Sequence, residues 1–196
     1  MARVVPVAHE DCPPNLDGSL LSRIYAHRPA FANAFFALER VSHEERSLSP
    51  RLVELVRLRI AYLNQCRGCM VARHPEGVQD GVTEDLVCEL MDPEVARGLT
   101  DAERAAITYG ELVATNHLAV TDETFERLRE HFDEAQIVEL CLNVALFVGF
   151  GRVNSTLHMV DELPEAFQAP TGQTLAPWNQ DELLFLPSRT PQRVVR

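Results

Sequence analysis

Apolar positions along this chain recur at three- and four-residue spacing, and the alternation that marks a strand is scarce, so the pattern predicts an all-α fold. Gly18 to Val41 carries Leu20, Leu21, Ile24 and Tyr25, then Phe31, Phe35, Phe36 and Leu38. Pro29 divides it, because a proline inside a helix loses a hydrogen bond and clashes with the turn before it. Ser49-Pro50 supplies a cap and a first turn for a helix through Arg51 to Leu63, ended at Asn64 and Gln65. A further helix is predicted from Cys66 to Gly81, where glycine relieves the left-handed terminal conformation. Thr83 caps a short one through Met91. Thr100 with Glu103 makes a capping box for Asp101 to about His117, Thr121 opens a helix through Phe132, and Asp133 with Gln136 opens a long apolar one to about Val160.

From Leu163 onward, prolines at 164, 170, 177, 187 and 191 rule out a regular helix. The expected organisation is one helical domain over 1–162 and a proline-rich arm over 163–196, loosely attached or wrapped over a neighbouring subunit. No internal repeat is visible. The most apolar window, Ile137 to Phe150, spans 14 residues and contains Glu139 and Asn143, too short and too polar for a membrane span. It reads as a buried core helix.

With 196 residues the chain can bury a sizeable core. A formal net charge of −11 excludes general affinity for nucleic acid or an anionic membrane surface, both of which need clustered cations. The N-terminal stretch has no secretory pattern, so the expected location is the cytoplasm. Five cysteines, an odd number, do not form a disulfide framework in a reducing compartment. Their spacing then becomes the question.

Cys66-Arg67-Gly68-Cys69 is a C-x-x-C pair, which either binds a metal or cycles between dithiol and disulfide. A helix beginning at Cys66 would favour thiolate through its positive end, with Arg67 and Arg73 adding to that field. Glu54 lies twelve positions earlier, which on one straight helix would put it roughly 18 Å from Cys66 and about 120° off-face. Only a reversal at Asn64 and Gln65 brings the thiols back to Glu54. It would then be a buried carboxylate, with its pKa raised toward general-base work.

Glu54, eleven residues and then Cys66-x-x-Cys69, within RLVELVRLRIAYLNQCRGCMVARHPEGVQDGVTEDLV, resembles the active-site signature of the alkylhydroperoxidase-D and carboxymuconolactone-decarboxylase superfamily. Similarity continues into Gly81-Val82-Thr83-Glu84 and again from Leu99 to Met159. The resemblance implies an alkylhydroperoxidase-D-like helical bundle that assembles as homo-oligomers, trimers or hexamers. It makes Cys69 the thiol that attacks peroxide, Cys66 the resolving thiol and Glu54 the start of a proton relay, whereas the helix-end argument favours Cys66 as the more acidic thiol. The peroxidase pattern places a relay histidine four residues after the second cysteine, a position held here by Arg73, with His74 one residue later and followed by Pro75. A one-residue shift turns a helical side chain by about 100°. A kink at Pro75 would swing His74 back, or Arg73 would hold the thiolate by charge.

The expected function is therefore a thiol-dependent hydroperoxidase with Cys69, Cys66, Glu54 and His74 as site residues, no bound cofactor, a peroxide or other small molecule as substrate and an external thiol reductant. The alternatives are a redox-sensing or structural oligomer and a decarboxylase-like or lyase activity that ignores the thiols. A zinc site through Cys66, Cys69 and His74 lacks a fourth ligand. Glu54 has a competing role as ion-pair partner of Arg57 or Arg51, three residues to either side. Cys12, Cys88 and Cys141 have no evident task, with Cys141 read as core packing. Asn143, Arg152, Asn154 and His158 either line a pocket or satisfy one another, the structural role ranking first. Gly149 and Gly151 point to a kink or a close helix approach.

Overall fold

A long central helix, α3 (Pro50–Asn64), organises the molecule. The computed structural model describes residues 1–168, 172–178, 180 and 182–186. Before α3 come α1 (Leu20–Tyr25) and α2 (Pro29–Glu44), with Pro29 in the first turn of α2, where its missing N–H costs nothing. After it come α4 (Arg67–Val71), α5 (Pro75–Gln79) and α6 (Glu84–Glu89). The second half is α7 (Asp101–Thr115), α8 (Asp122–Arg129) and α9 (Glu134–Leu157). The all-α expectation holds, with one addition. A short parallel pair joins β1 (Ala72–Arg73) to β2 (Leu184–Phe185).

Leu52, Leu55, Val56, Leu58 and Ile60 of α3 are buried between Ala106 and Ile107 of α7 and Ile137, Leu140 and Val144 of α9. Each such side chain removed from water contributes about 1.5–3 kcal/mol, so this three-helix contact fixes the fold. A second, smaller core sets Phe167 of the tail against Ala61, Met70 and Val71, under α4.

Three expectations are corrected. The helix predicted from Cys66 to Gly81 is broken in two, since Ala72 and Arg73 pair with the tail and His74 is extended (φ −81°, ψ 123°), as a residue before proline prefers. Next, α9 has the expected length but is a buried core helix on one face only. It is long and apolar enough by length and composition to cross a membrane, yet it is apolar on every side, so neighbours cover one face and leave Val138 and Leu142 56% and 61% exposed. Finally, the described part of the tail packs on this chain's own helices. Phe167 is fully buried, and Trp178 lies with its ring centroid 4.7 Å from that of Tyr62.

Two glycines set helix spacing. A Cβ on Gly77 of α5 would stand 2.8 Å from Cβ of Glu54, and one on Gly151 of α9 would stand 2.5 Å from Nδ2 of Asn64. Of Gly149 and Gly151, the anticipated close approach is therefore made by Gly151, whereas Gly149 faces open space.

Candidate active site

The site begins with how α3 ends. Gln65 takes the left-handed conformation (φ 51°, ψ 36°), which costs a non-glycine residue energy and persists only when its surroundings hold it there. Its side-chain amide donates to the carbonyls of Tyr62 (2.6 Å) and Leu175 (3.0 Å) and accepts from the Leu175 N–H (2.8 Å), while its own carbonyl accepts from Ser155 Oγ (3.1 Å). The chain reverses there, and the N–H of Cys66 closes the turn on the carbonyl of Ala61. The chain thus makes the reversal on which an approach of the thiols to Glu54 depended, and all three residues line one cavity.

Cys66 and Cys69 are joined as a disulfide across the first turn of α4, with Cα atoms 5.2 Å apart. Cys66 is buried at 2% exposure, whereas Cys69 is only half-buried. Arg57 binds this turn to α3. It donates to the carbonyls of Cys69 (2.6 Å) and Ala72 (2.8 Å) while its Nε and Nη2 donate to the two oxygens of Glu54, each at 2.7 Å. Glu54 also accepts the backbone N–H of His74 at 3.1 Å.

The electrostatic outcome reverses the sequence expectation. Burial alone would raise the Glu54 pKa, but the adjacent Arg57 charge and its paired hydrogen bonds, helped by His74, outweigh burial and hold the carboxyl below the usual glutamate range. Glu54 is therefore an ionised anchor at neutral pH, with Arg57 rather than Arg51 as its partner. Arg51 instead pairs with Glu103 at 2.6 Å.

Arg73 does not face the thiols either. Its five N–H donors are spent on both carboxylate oxygens of Glu84 and on the carbonyls of Met70, Ala72 and Pro177. Arg67, between the cysteines, donates to the tail carbonyls of Phe167 and Gln173, and burial draws its pKa below the usual value. His74 stacks on His43 of α2, with ring centroids 5.1 Å apart and planes 25° from parallel.

Glu54, Cys66, Cys69, His74 and His43 all line one cavity of about 590 Å³. Its other walls are largely apolar, with Phe35 and Phe36 from α2 and Phe147 and Phe150 from α9, and Gln173, Thr174 and Leu186 of the tail at its edge. Asn143, Asn154 and His158 also face it, so three of the four polar residues near α9 line a pocket. Asn154 accepts from Tyr25 Oη at 2.8 Å, and burial, with the charge of Glu39 nearby, pushes the Tyr25 pKa up to about 12. Arg152 is the structural member, donating to Asn64 Oδ1 and to the carbonyl of Ala114. His158 caps α9 in the left-handed region, and burial, then the N-terminal amine, Arg3 and Arg67, lower its pKa. Cys141 packs against the core and bonds with Tyr109. Among the described residues no three His, Cys, Asp or Glu side chains converge as metal ligands would.

Reasoning on the sequence missed His43 and the phenylalanine walls. Only the three-residue spacing of Glu54 and Arg57 foretold the ion pair. That pair generates a prediction. Glu54→Gln leaves Arg57 buried without its counter-charge and should destabilise the fold by about 3–5 kcal/mol in urea titration, more than Glu54→Leu combined with Arg57→Met. Because the folded carboxyl titrates below its unfolded range, its stabilisation is complete above the unfolded value near pH ~4.3 and is lost as pH falls below that toward the folded value. Wild type should therefore lose more stability than Glu54→Gln between pH 5 and 3, and equal losses would contradict the pair's role.

Residues 29–112 match the model of the carboxymuconolactone decarboxylase family. The chain is 26% identical over 120 residues to the uncharacterized protein YdfG of Bacillus subtilis, covering 57% of this chain and 76% of that protein. Among solved structures it is similar to an alkylhydroperoxidase AhpD core, an uncharacterized peroxidase-related protein from Ralstonia eutropha JMP134. That match has 25% identity and a TM-score of 0.61, over 76% of this chain and 78% of the other. The debrominase Bmp8, solved as a variant with 2,3,4-tribromopyrrole, shares the fold at 17% identity and a TM-score of 0.66, over 86% of this chain and 95% of the other. Over residues 29–112 the chain thus resembles the carboxymuconolactone decarboxylase family, and its fold resembles that of the alkylhydroperoxidase AhpD core.

Proposed function

We propose that this protein is a disulfide-cycling oxidoreductase that reduces organic hydroperoxides with electrons from an external thiol. The observation that carries the reading is the Cys66–Cys69 pair, closed as a disulfide on the wall of a cavity large enough for an organic molecule. In the first step the Cys69 sulfur attacks the terminal peroxide oxygen. An S–O bond forms, the O–O bond breaks, and the thiol proton leaves with the departing alkoxide as an alcohol. Cys66 then displaces hydroxide from the sulfenic acid, giving the disulfide and water. An external dithiol returns both cysteines to thiols and is itself oxidised. Cys69 is assigned the attack because it is the more exposed of the two. In this reading Glu54 anchors Arg57 and the His74 backbone, and His74 carries the proton. A cycle drawing on external thiols suits a reducing cytoplasm.

Stopped-flow oxidation of the reduced protein tests this, with thiols counted before and after. An organic hydroperoxide such as cumene hydroperoxide should consume two thiols faster than hydrogen peroxide does. Cys69→Ser should abolish the fast phase, and Cys66→Ser should leave a sulfenic acid that dimedone traps. Thiols reacting no faster than free cysteine would overturn the proposal.

The same reading includes a homo-oligomer, a trimer or a hexamer. Val138, Leu142 and Val153 lie at spacings of four and eleven along α9, on one exposed apolar face that suits a second copy. Sedimentation equilibrium should give a multiple of the 22.0 kDa chain mass, and Leu142→Glu should lower it. A monomer at micromolar concentration would contradict this.

A further inference from the structure

We propose that His43 is a positioning residue for the thiol chemistry, acting through His74, so that a stacked imidazole pair replaces the single relay group absent at position 73. The inference rests on the reading of Cys66 and Cys69 as a redox pair. His74 occupies the extended stretch between α4 and α5, where no helix fixes its side chain. Its backbone and its ring are each held by a contact from another helix. Glu54 takes its backbone N–H, and His43 supports the face of its ring.

His43 is well placed for this. It lies in the last turn of α2, a helix held against α9 by Phe35, whose ring centroid is 4.4 Å from that of Phe150. The ring of His74 is thus held between an anchored helix and a buried ion pair, beside the cavity that Cys69 faces. Two neighbouring arginines are engaged elsewhere. Arg73 has all five donors occupied, and Arg57 is clamped on Glu54 and two carbonyls. Charged and titratable groups lining the cavity with the pair are Glu39 of α2, Glu54 and Arg57 of α3, Arg67 of α4 and Glu76 of α5, together with Asp17, Arg46, His158 and Glu162.

In the first step of the cycle the proton leaving the Cys69 thiol passes to His74 and from there to the departing alkoxide. The sum remains one thiol and one hydroperoxide giving one sulfenic acid and one alcohol. His43 takes no part in the bond changes. Its contribution is to keep the His74 ring where the transfer can occur, which general acid–base catalysis requires within hydrogen-bond reach.

The test is alkylation of Cys69 by iodoacetamide, followed by mass spectrometry, in the reduced Cys66→Ser chain. It reads how readily the thiol gives up its proton, whatever the natural substrate. His74→Ala should slow it about tenfold or more and His43→Ala about three- to tenfold, with His43→Phe, which keeps a flat ring, recovering much of the loss. The double alanine variant should be no slower than His74→Ala alone, since a residue acting through another has no separate effect. His43→Ala at the wild-type rate, or losses that multiply in the double variant, would overturn the proposal. Alkylation that depends on His43 in a protein that ignores hydroperoxides would overturn the hydroperoxidase reading while supporting this one.

Discussion

A carboxylate and a guanidinium three residues apart on one helix decide where the chemistry sits. Glu54 and Arg57 are both buried, and neither could be without the other, because an isolated charge in that environment would cost far more than the fold can spare. The geometry of the pair reaches outward. Arg57 holds the carbonyls of Cys69 and Ala72, and Glu54 holds the amide of His74, so one interaction fixes the thiol turn and the histidine that follows it. Gly77 lets α5 lie directly on the Glu54 side chain, completing the enclosure.

Helix starts were legible in the sequence because their signals are local. Ser49, Thr83, Thr100 and Asp133 each accept the backbone N–H three residues on, as their spacing required. The reversal at Gln65 was legible for a different reason, since only a folded-back chain puts Glu54 beside Cys66. What escaped depends on partners far along the chain. Pro75 announced the extended His74, but the pairing of Ala72 and Arg73 with Leu184 and Phe185 that carries the break back to Ala72 has no local signal. His43 reaches the site through the packing of α2 on α9, which one sequence does not reveal.

The sign of the Glu54 shift was missed for an instructive reason. Both causes were visible, burial and a neighbouring arginine, but their balance turns on whether Arg57 presents two donors to two oxygens or turns elsewhere, and only the fold settles that. Similarly, α9 is apolar enough to be a core helix from end to end, and periodicity does not say how many neighbours will come to cover it.

The tail bears directly on the thiols. Gln65 just before the pair, Arg67 inside it and Arg73 just after it all bond to tail backbone, and Phe167 lies under the turn itself. The disulfide turn is thus gripped from α3 on one side and from Phe167, Gln173, Leu175 and Pro177 of the tail on the other. The central claim is that this gripped disulfide cycles. Its reduction potential tests that most directly, by equilibrating the protein against graded dithiol buffers and quantifying the Cys66–Cys69 pair by alkylation and mass. A cycling pair should equilibrate reversibly as a two-electron couple at roughly −200 to −300 mV, within reach of cellular thiol reductants. A value well below about −300 mV, typical of disulfides that only brace a fold, would contradict the account.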